Sequence, residues 1–259
     1  MRKASTARAT FAAVLLVGLA SGCGPSNQSA PHGGSEKTLT VFAAASLRKA
    51  FSEIGERFMT DNPGTDVEIS FAGSADLATQ LTQGAPADVV ATADTKNMDR
   101  VAAAGLLAGT AVNFATNMLT IVVAPGNPKT VTSFRDLTQP GLSVVVCAPQ
   151  VPCGTATQKV EKAIGVTLNP ASEESQVTDV LGKVLTGQAD AGVVYVTDAQ
   201  SAGDKVTAIA FPEAAGAVNT YPIGILSQSQ DPGLARKYVD LVTGAAGQKI
   251  LAAAGFAEP

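Results

Sequence analysis

The sequence predicts an α/β protein of two lobes, each a sheet flanked by helices, and three observations carry that prediction. Short apolar runs rich in valine and isoleucine alternate with segments of helical periodicity. Alternation of this kind implies parallel strands joined by crossover helices. The run "MLTIVVA" at 118–124 follows the polar "NFATN", which suits a crossing between lobes, and a second crossing near Val218–Tyr221 would return the chain. Of the 259 residues, 46% are hydrophobic and 15% charged, which is enough for a sizeable core.

The elements follow in order. Residues 1–22 read as an export signal: Arg2, Lys3 and Arg8 form a basic start, and "FAAVLLVGLA" is a short apolar stretch before "ASGC". A spanning helix needs about 20 consecutive apolar residues, and the chain has no such run. The cysteine points to a lipobox, in which Cys23 becomes the lipidated first residue. Ser21 and Gly22 fit, although Ala20 stands where such boxes carry leucine. The alternative is an ordinary cleavage site beside a chance cysteine. Residues 23–36, rich in Gly, Pro and Ser, form a flexible tether. Cleavage before Cys23 removes three of 18 cations and none of 22 carboxylates, so the charge falls from −4 to −7. An acidic chain without a basic stripe and with few aromatics is no nucleic-acid binder.

Beyond the tether, Leu39–Ala43 reads as a buried strand, and 46–61 as a helix with Leu47, Ala50, Phe51, Ile54 and Phe58 on one face. Strand 67–71 and helix 74–82 repeat the unit, followed by a strand at Val89–Val90 and helix 94–104. Strand 118–124 opens the second lobe. A short helix at 133–137, strand 142–147, helix 155–164, helix 176–186 and strand 191–195 follow. Residues 206–211 and 221–226 look extended. From Pro232 the chain reads as two successive helices.

Three cysteines are present. With Cys23 lipidated, Cys147 and Cys153 remain as an even pair in an exported chain, which favours a disulfide through a loop bent by Pro149 and Pro152. The alternatives are two free thiols or a metal site. A metal site needs more ligands, and the single histidine, His32, lies in the tether.

Candidate chemistry lies where strands hand over to helices. Ser46 and Ser74 both stand at such junctions and read as N-caps, whose oxygens accept from first-turn N–H groups. Two serines on one edge of one sheet, with helix N-termini beside them, suit an oxyanion without need of arginine. "CGTATQKVEKAIG" and "SQVTDVL" open two further helices, with Ser175 as a cap and the Val177 N–H in the first turn. Tyr195 ends an apolar strand, either as a core aromatic or as a neutral phenol donor. A competing pattern is Ser46-x-x-Lys49, the spacing of some exported serine acyl-transferases and hydrolases. Its companion motifs are missing: Thr60-Asp61-Asn62 is only 14 residues past Ser46, and Lys129-Thr130-Val131 lacks its glycine.

In order, "VFAAASL", "FAGSADLATQLTQGAPADVVATAD", "AGVVYVTDA" and "GQKILAAAGF" closely resemble the molybdate-binding proteins of molybdate ABC transporters, from about residue 38 onward. The resemblance implies a periplasmic-binding-protein-like fold of type II, with mixed, mostly parallel sheets and the ligand in the interlobe cleft. It implies lobe I at 37–115 plus 221–259 and lobe II at 116–220. It implies a binder, not an enzyme, with no cofactor and no directly coordinated metal. The ligand would be molybdate or tungstate, held by neutral donors from Ser46, Ser74, Cys153, Val177 and Tyr195. Many relatives carry alanine at the position of Cys153, which its backbone N–H would survive. The expected partners are a permease and ATPase complex, with a monomeric chain anchored by lipid on Cys23 at the outer face of the cell membrane.

Overall fold

A computed structural model describes residues 37–259. The leader, Cys23, the tether and His32 lie outside the described residues. No helix among the described residues is long and apolar enough to cross a membrane.

The first lobe begins with β1 (Lys37–Ala44), α1 (Arg48–Asp61), β2 (Thr65–Ala72), α2 (Ser74–Thr82), β3 (Val89–Ala91), α3 (Thr95–Ala103) and β4 (Val112–Asn117). The second contains β5 (Leu119–Val123), β6 (Val144–Cys147), α4 (Pro152–Ile164), β7 (Ser172–Glu174), α5 (Val177–Leu185), β8 (Ala191–Tyr195), α6 (Val196–Ala202) and β9 (Thr207–Ile209). The chain then returns to the first lobe with β10 (Asn219–Ile225), α7 (Pro232–Thr243) and α8 (Ala245–Ala253).

The two five-stranded sheets share one plan. Their orders are β2-β1-β3-β10-β4 and β7-β6-β8-β5-β9. In each, three neighbouring strands run parallel, and the fourth in the order, β10 or β5, runs antiparallel to both its neighbours. The carboxyl ends of the parallel strands are where an open α/β sheet offers its crevice. Those ends lead to Ser46, Ser74 and Ala93 in one lobe, and to Cys147, Val177 and Tyr195 in the other.

Packing follows the helical periodicity. Ala50, Phe51, Ile54 and Phe58 are buried along one face of α1. Phe51 and Phe58 meet the Tyr238 ring edge-on at 6.2 and 5.3 Å. Such contacts contribute about 0.5–1.5 kcal/mol beyond burial. Asp231 starts α7 by accepting from the Leu234 N–H at 2.9 Å, with Pro232 in the first turn where its missing donor is harmless. The second lobe has a valine-dominated core built from β6, β8 and α5, with Phe134 on Phe211 at 5.3 Å.

Three short elements depart from the sequence reading. β4 occupies part of the polar crossing because Phe114 and Ala115 are both buried, one on each face of the strand, beside β10. β7 is three half-exposed residues held by β6, with no apolar signature of its own. α6 follows β8 without a loop, since the Asp198 carboxylate accepts from the Tyr195 N–H at 3.0 Å and turns the chain at once.

Candidate functional site

Both serines sit at the strand-to-helix junctions, but neither caps a helix. Ser46 lies in a single 3-10 turn, Ala45–Leu47, before α1, and it makes no cap bond. Its Oγ is 3.0 Å from the Tyr221 hydroxyl instead. Ser74 is the first residue of α2, after Gly73 at the cap position. Its Oγ accepts from the Ala93 N–H at 2.9 Å, across to the loop after β3. The reason is burial: at 8% and 1% exposure, each hydroxyl pairs with the nearest buried polar group rather than with its own helix. Ser175 is likewise no cap, since Gln176 occupies that place before α5.

The opposite wall comes from the second lobe. Cys147 ends β6, Cys153 is the second residue of α4, and the two are joined by a disulfide with Cα atoms 5.7 Å apart. Val177 is the first residue of α5. The first four N–H groups of a helix have no intrahelical acceptor, so Cys153 and Val177 each present a free backbone donor direction. Pro152, in the first turn of α4, removes a donor where none is needed. Gly154 is required behind this wall, because a Cβ there would collide with the carbonyl of Ala148.

Tyr195 ends β8 and is 1% exposed. Its hydroxyl has no hydrogen-bond partner among the described residues. The Tyr221 ring stands edge-on at 6.1 Å, with the two phenols close enough to influence each other. A buried phenol without a partner costs free energy unless something completes it. Burial, with Tyr221, Asp94 and Asp198 nearby, raises the Tyr195 phenol well above its usual value, so it stays a neutral donor. Burial also pushes the Asp198 carboxyl up to about 7 and raises Asp94. Both carboxyls are thereby biased toward the neutral form.

Ser46, Ser74, Cys153, Val177 and Tyr195 line one small cavity, together with small neighbours such as Ala44, Ala45 and Ala93. No lining residue is charged. Three helices of nine or more residues, α2, α4 and α5, begin at this cavity, so their partial positive ends supply the only electrostatic attraction in its wall. The arrangement can hold a small polyoxygen anion by hydrogen bonds alone. Gly73 makes the approach of the walls possible, since a Cβ there would overlap the Ser175 carbonyl of the other lobe.

A wider cleft of about 320 Å³ lies on the other side of Ser46, between Arg48, Lys49, Thr178, Asp198 and Phe256. Its size does not make it the anion site, because its walls include the Asp198 carboxyl. Lys49 is exposed there and makes no bond to Ser46, whose oxygen faces Tyr221. Arg48 lies over the Phe71 ring at 4.5 Å. The 3-10 turn separates Ser46 from the helix that carries Lys49, so the one-turn pairing expected of Ser-x-x-Lys does not form. Among the described residues, no group of three or more His, Cys, Asp or Glu could hold a metal ion.

Sequence reasoning missed Tyr221, Asn117 and Thr197. Asn117 Nδ2 donates to Thr197 Oγ1 at 2.8 Å and lies 3.5 Å from the Tyr221 oxygen. These partners are 80 and 104 residues away, so no local spacing could have signalled them.

The profile of the bacterial extracellular solute-binding proteins matches residues 39–257. The molybdate-binding protein ModA of Mycobacterium tuberculosis H37Rv is 56% identical over 261 residues, covering 100% of both chains. Among solved structures, the periplasmic molybdate-binding protein of Azotobacter vinelandii superposes with a TM-score of 0.75 at 22% identity, covering 85% of this chain and 99% of that one. The sulfate-binding protein SubI of M. tuberculosis H37Rv superposes almost as well, at 0.74 and 21% identity, over 85% of this chain and 86% of that one. The two structural likenesses establish the two-lobed fold and, between them, leave the anion to the chemistry of the site.

Proposed function

The chain belongs to the bacterial extracellular solute-binding proteins, in their molybdate-binding branch, and from that premise we propose that it captures molybdate in the small cavity at Ser46, Ser74 and Tyr195 and delivers it to an ABC importer. It is a binding protein and not an enzyme, and it needs no cofactor. The observation that carries the ligand reading is the buried Tyr195 hydroxyl, unpartnered at a cavity whose other polar groups are all neutral donors. An anion with four acceptor oxygens and no proton would complete that set.

Ser46 and Ser74 donate through their hydroxyls, Tyr195 through its phenol, and Cys153 and Val177 through backbone N–H groups. Tungstate is nearly isosteric with molybdate and binds at the same place. Sulfate is smaller, so fixed donors hang too far from its oxygens. Each donor left unsatisfied costs about 1–3 kcal/mol, roughly one to two decades of affinity. In the same reading, lobe I is the part that carries β1–β4, β10, α7 and α8, and lobe II the part that carries β5–β9, so the crossings fall just after Asn117 and just before Asn219 rather than at 115 and 221. The chain acts as a monomer, tethered by lipid on Cys23 to the outer face of the cell membrane beside its permease and ATPase.

The test is thermal unfolding of the exported protein with added oxyanions. Molybdate at about a hundred times its Kd stabilises by about 2.7 kcal/mol. Sulfate in large excess leaves the midpoint in place. Equal shifts from both would remove the ligand assignment.

A further inference from the structure

We propose that Asn219, where the chain returns from the second lobe, is a positioning residue that fixes the Ser74 hydroxyl for the anion through the main chain of Ala93. This rests on the reading of the cavity as an oxyanion site with Ser74 among its donors.

Asn219 opens β10 and lies opposite Asn117, the last residue of β4, so the two asparagines pair at the crossings between the lobes. Residues directly opposite in an antiparallel pair send their side chains to the same face. From that face the two amides reach different lobes. Asn117 Nδ2 donates to Thr197 Oγ1 of the second lobe at 2.8 Å. Asn219 Nδ2 donates to the Ala93 carbonyl of the first lobe, also at 2.8 Å. A carbonyl only accepts, so the amide nitrogen is the group that faces it and the direction of this bond is fixed. The N–H of the same Ala93 donates to Ser74 Oγ at 2.9 Å, and a main-chain N–H has no other polarity to offer. The chain from Asn219 through Ala93 to Ser74 thus runs from a crossing strand to the cavity wall. Ala93 and Ser74 line the cavity, whereas Asn219 does not.

The Asn219 bond serves position rather than stability. Asn219 is 7% exposed, and its Oδ1 has no hydrogen-bond partner among the described residues. A buried amide that is only half satisfied adds little to the fold, because the orphaned oxygen offsets what the Nδ2 bond supplies. Nor does the turn after β3 depend on it. The Thr92 N–H donates to the Pro222 carbonyl at 3.0 Å, the Thr92 hydroxyl donates to the Asp94 carbonyl at 2.7 Å, and the Asp94 carboxylate caps α3 by accepting from the Asn97 N–H. What Asn219 alone supplies is the hold on Ala93, whose carbonyl has no other donor among the described residues. Without that hold Ala93 can turn, and the Ser74 hydroxyl loses the bond that orients it.

Molybdate calorimetry on the whole exported protein, run as a double-mutant cycle with Ser74→Ala, tests this. Asn219→Leu is close in shape. It removes the orphaned Oδ1 and orphans the Ala93 carbonyl instead, so the melting temperature of the unliganded protein should move little. Molybdate affinity should nevertheless fall by roughly tenfold when Ser74 is present. In the Ser74→Ala background the same substitution should cost less than about twofold, because the hydroxyl it positions is gone. Should Asn219→Leu not fold, Asn219→Ala runs the same cycle, and a loss through packing alone would show equally in both backgrounds.

An equal loss in both backgrounds would mean that Asn219 acts on the lobes as a whole and not on Ser74, and would overturn the inference. An affinity left unchanged by Asn219→Leu with Ser74 present would overturn it too, while leaving an oxyanion site. Ser74→Ala without loss of affinity, or failure of the wild-type protein to bind molybdate, would remove the reading beneath it as well.

Discussion

The two lobes share a strand order but furnish the cavity differently. The first lobe contributes side-chain hydroxyls, Ser46 and Ser74, each hydrogen-bonded to a buried group behind it. The second contributes helix-start backbone at Cys153 and Val177, plus the Tyr195 phenol, and stiffens one loop with a disulfide. A hydroxyl can be removed by substitution, whereas a backbone N–H survives most of them. The same anion would therefore be held on one side by groups that mutation can delete and on the other by groups it can only displace.

The largest expected effect tests whether the lobes need this close approach at all. Gly73→Ala sets a methyl group against the Ser175 carbonyl of the other lobe, where neither backbone atom can yield. Overpacking costs about 1–3 kcal/mol, and molybdate affinity should fall toward a hundredfold by calorimetry. Unchanged affinity would mean that the ligand binds without this contact.

Next comes the hydroxyl-against-backbone contrast. Ser74→Ala deletes a donor to a charged ligand and leaves the Ala93 N–H without its acceptor. The expected loss is about 1.5–3 kcal/mol, roughly 10- to 100-fold in Kd. Val177→Ala keeps its N–H, so affinity should stay within a few fold while the valine-rich core loses stability. Equal losses in affinity from both would erase the distinction between the lobes.

The disulfide comes third. Closing a loop of this length contributes roughly 2 kcal/mol through the unfolded chain. Replacing both Cys147 and Cys153 with alanine should lower the melting temperature by about 4–8 °C. Molybdate affinity should change less than in Ser74→Ala, because the N–H at 153 remains.

The smallest effect on anion affinity concerns Asp198, which does not line the cavity. Burial pushes its carboxyl up to about 7, against about 3.9 for an unfolded aspartate. The native state thus holds the proton that the unfolded state releases, so this group's contribution to stability falls as pH rises from about 4 to 7 and is flat above. Asp198→Asn should flatten that part of the profile in denaturant titrations. A slope unchanged by the substitution would assign the pH dependence elsewhere.

Much of this was legible because strand-to-helix junctions are local. "VFAAASL" and "FAGS" mark where a buried run ends and a helix begins, and that alone places Ser46 and Ser74 on one sheet edge. Val177 and Tyr195 were readable for the same reason. What the serines bond to was not. Ser46 meets Tyr221 175 residues away, and Ser74 meets Ala93 across a loop, so tertiary burial replaced the expected capping bonds. β7 and α6 escaped notice because neighbours define them: β6 holds the first, and the Asp198 carboxylate folds the second back onto its strand.

The claim that neutral donors alone hold the anion is open to one direct measurement, the molybdate Kd at rising ionic strength. Screening lengths shrink from above 10 Å to a few Å between about 0.05 and 0.5 M salt. A site closed between the lobes and lined by no charged residue predicts a Kd constant within about threefold over that range. A steep loss of affinity with salt would place the anion beside the exposed Arg48 and Lys49 of the wider cleft, and would contradict the account.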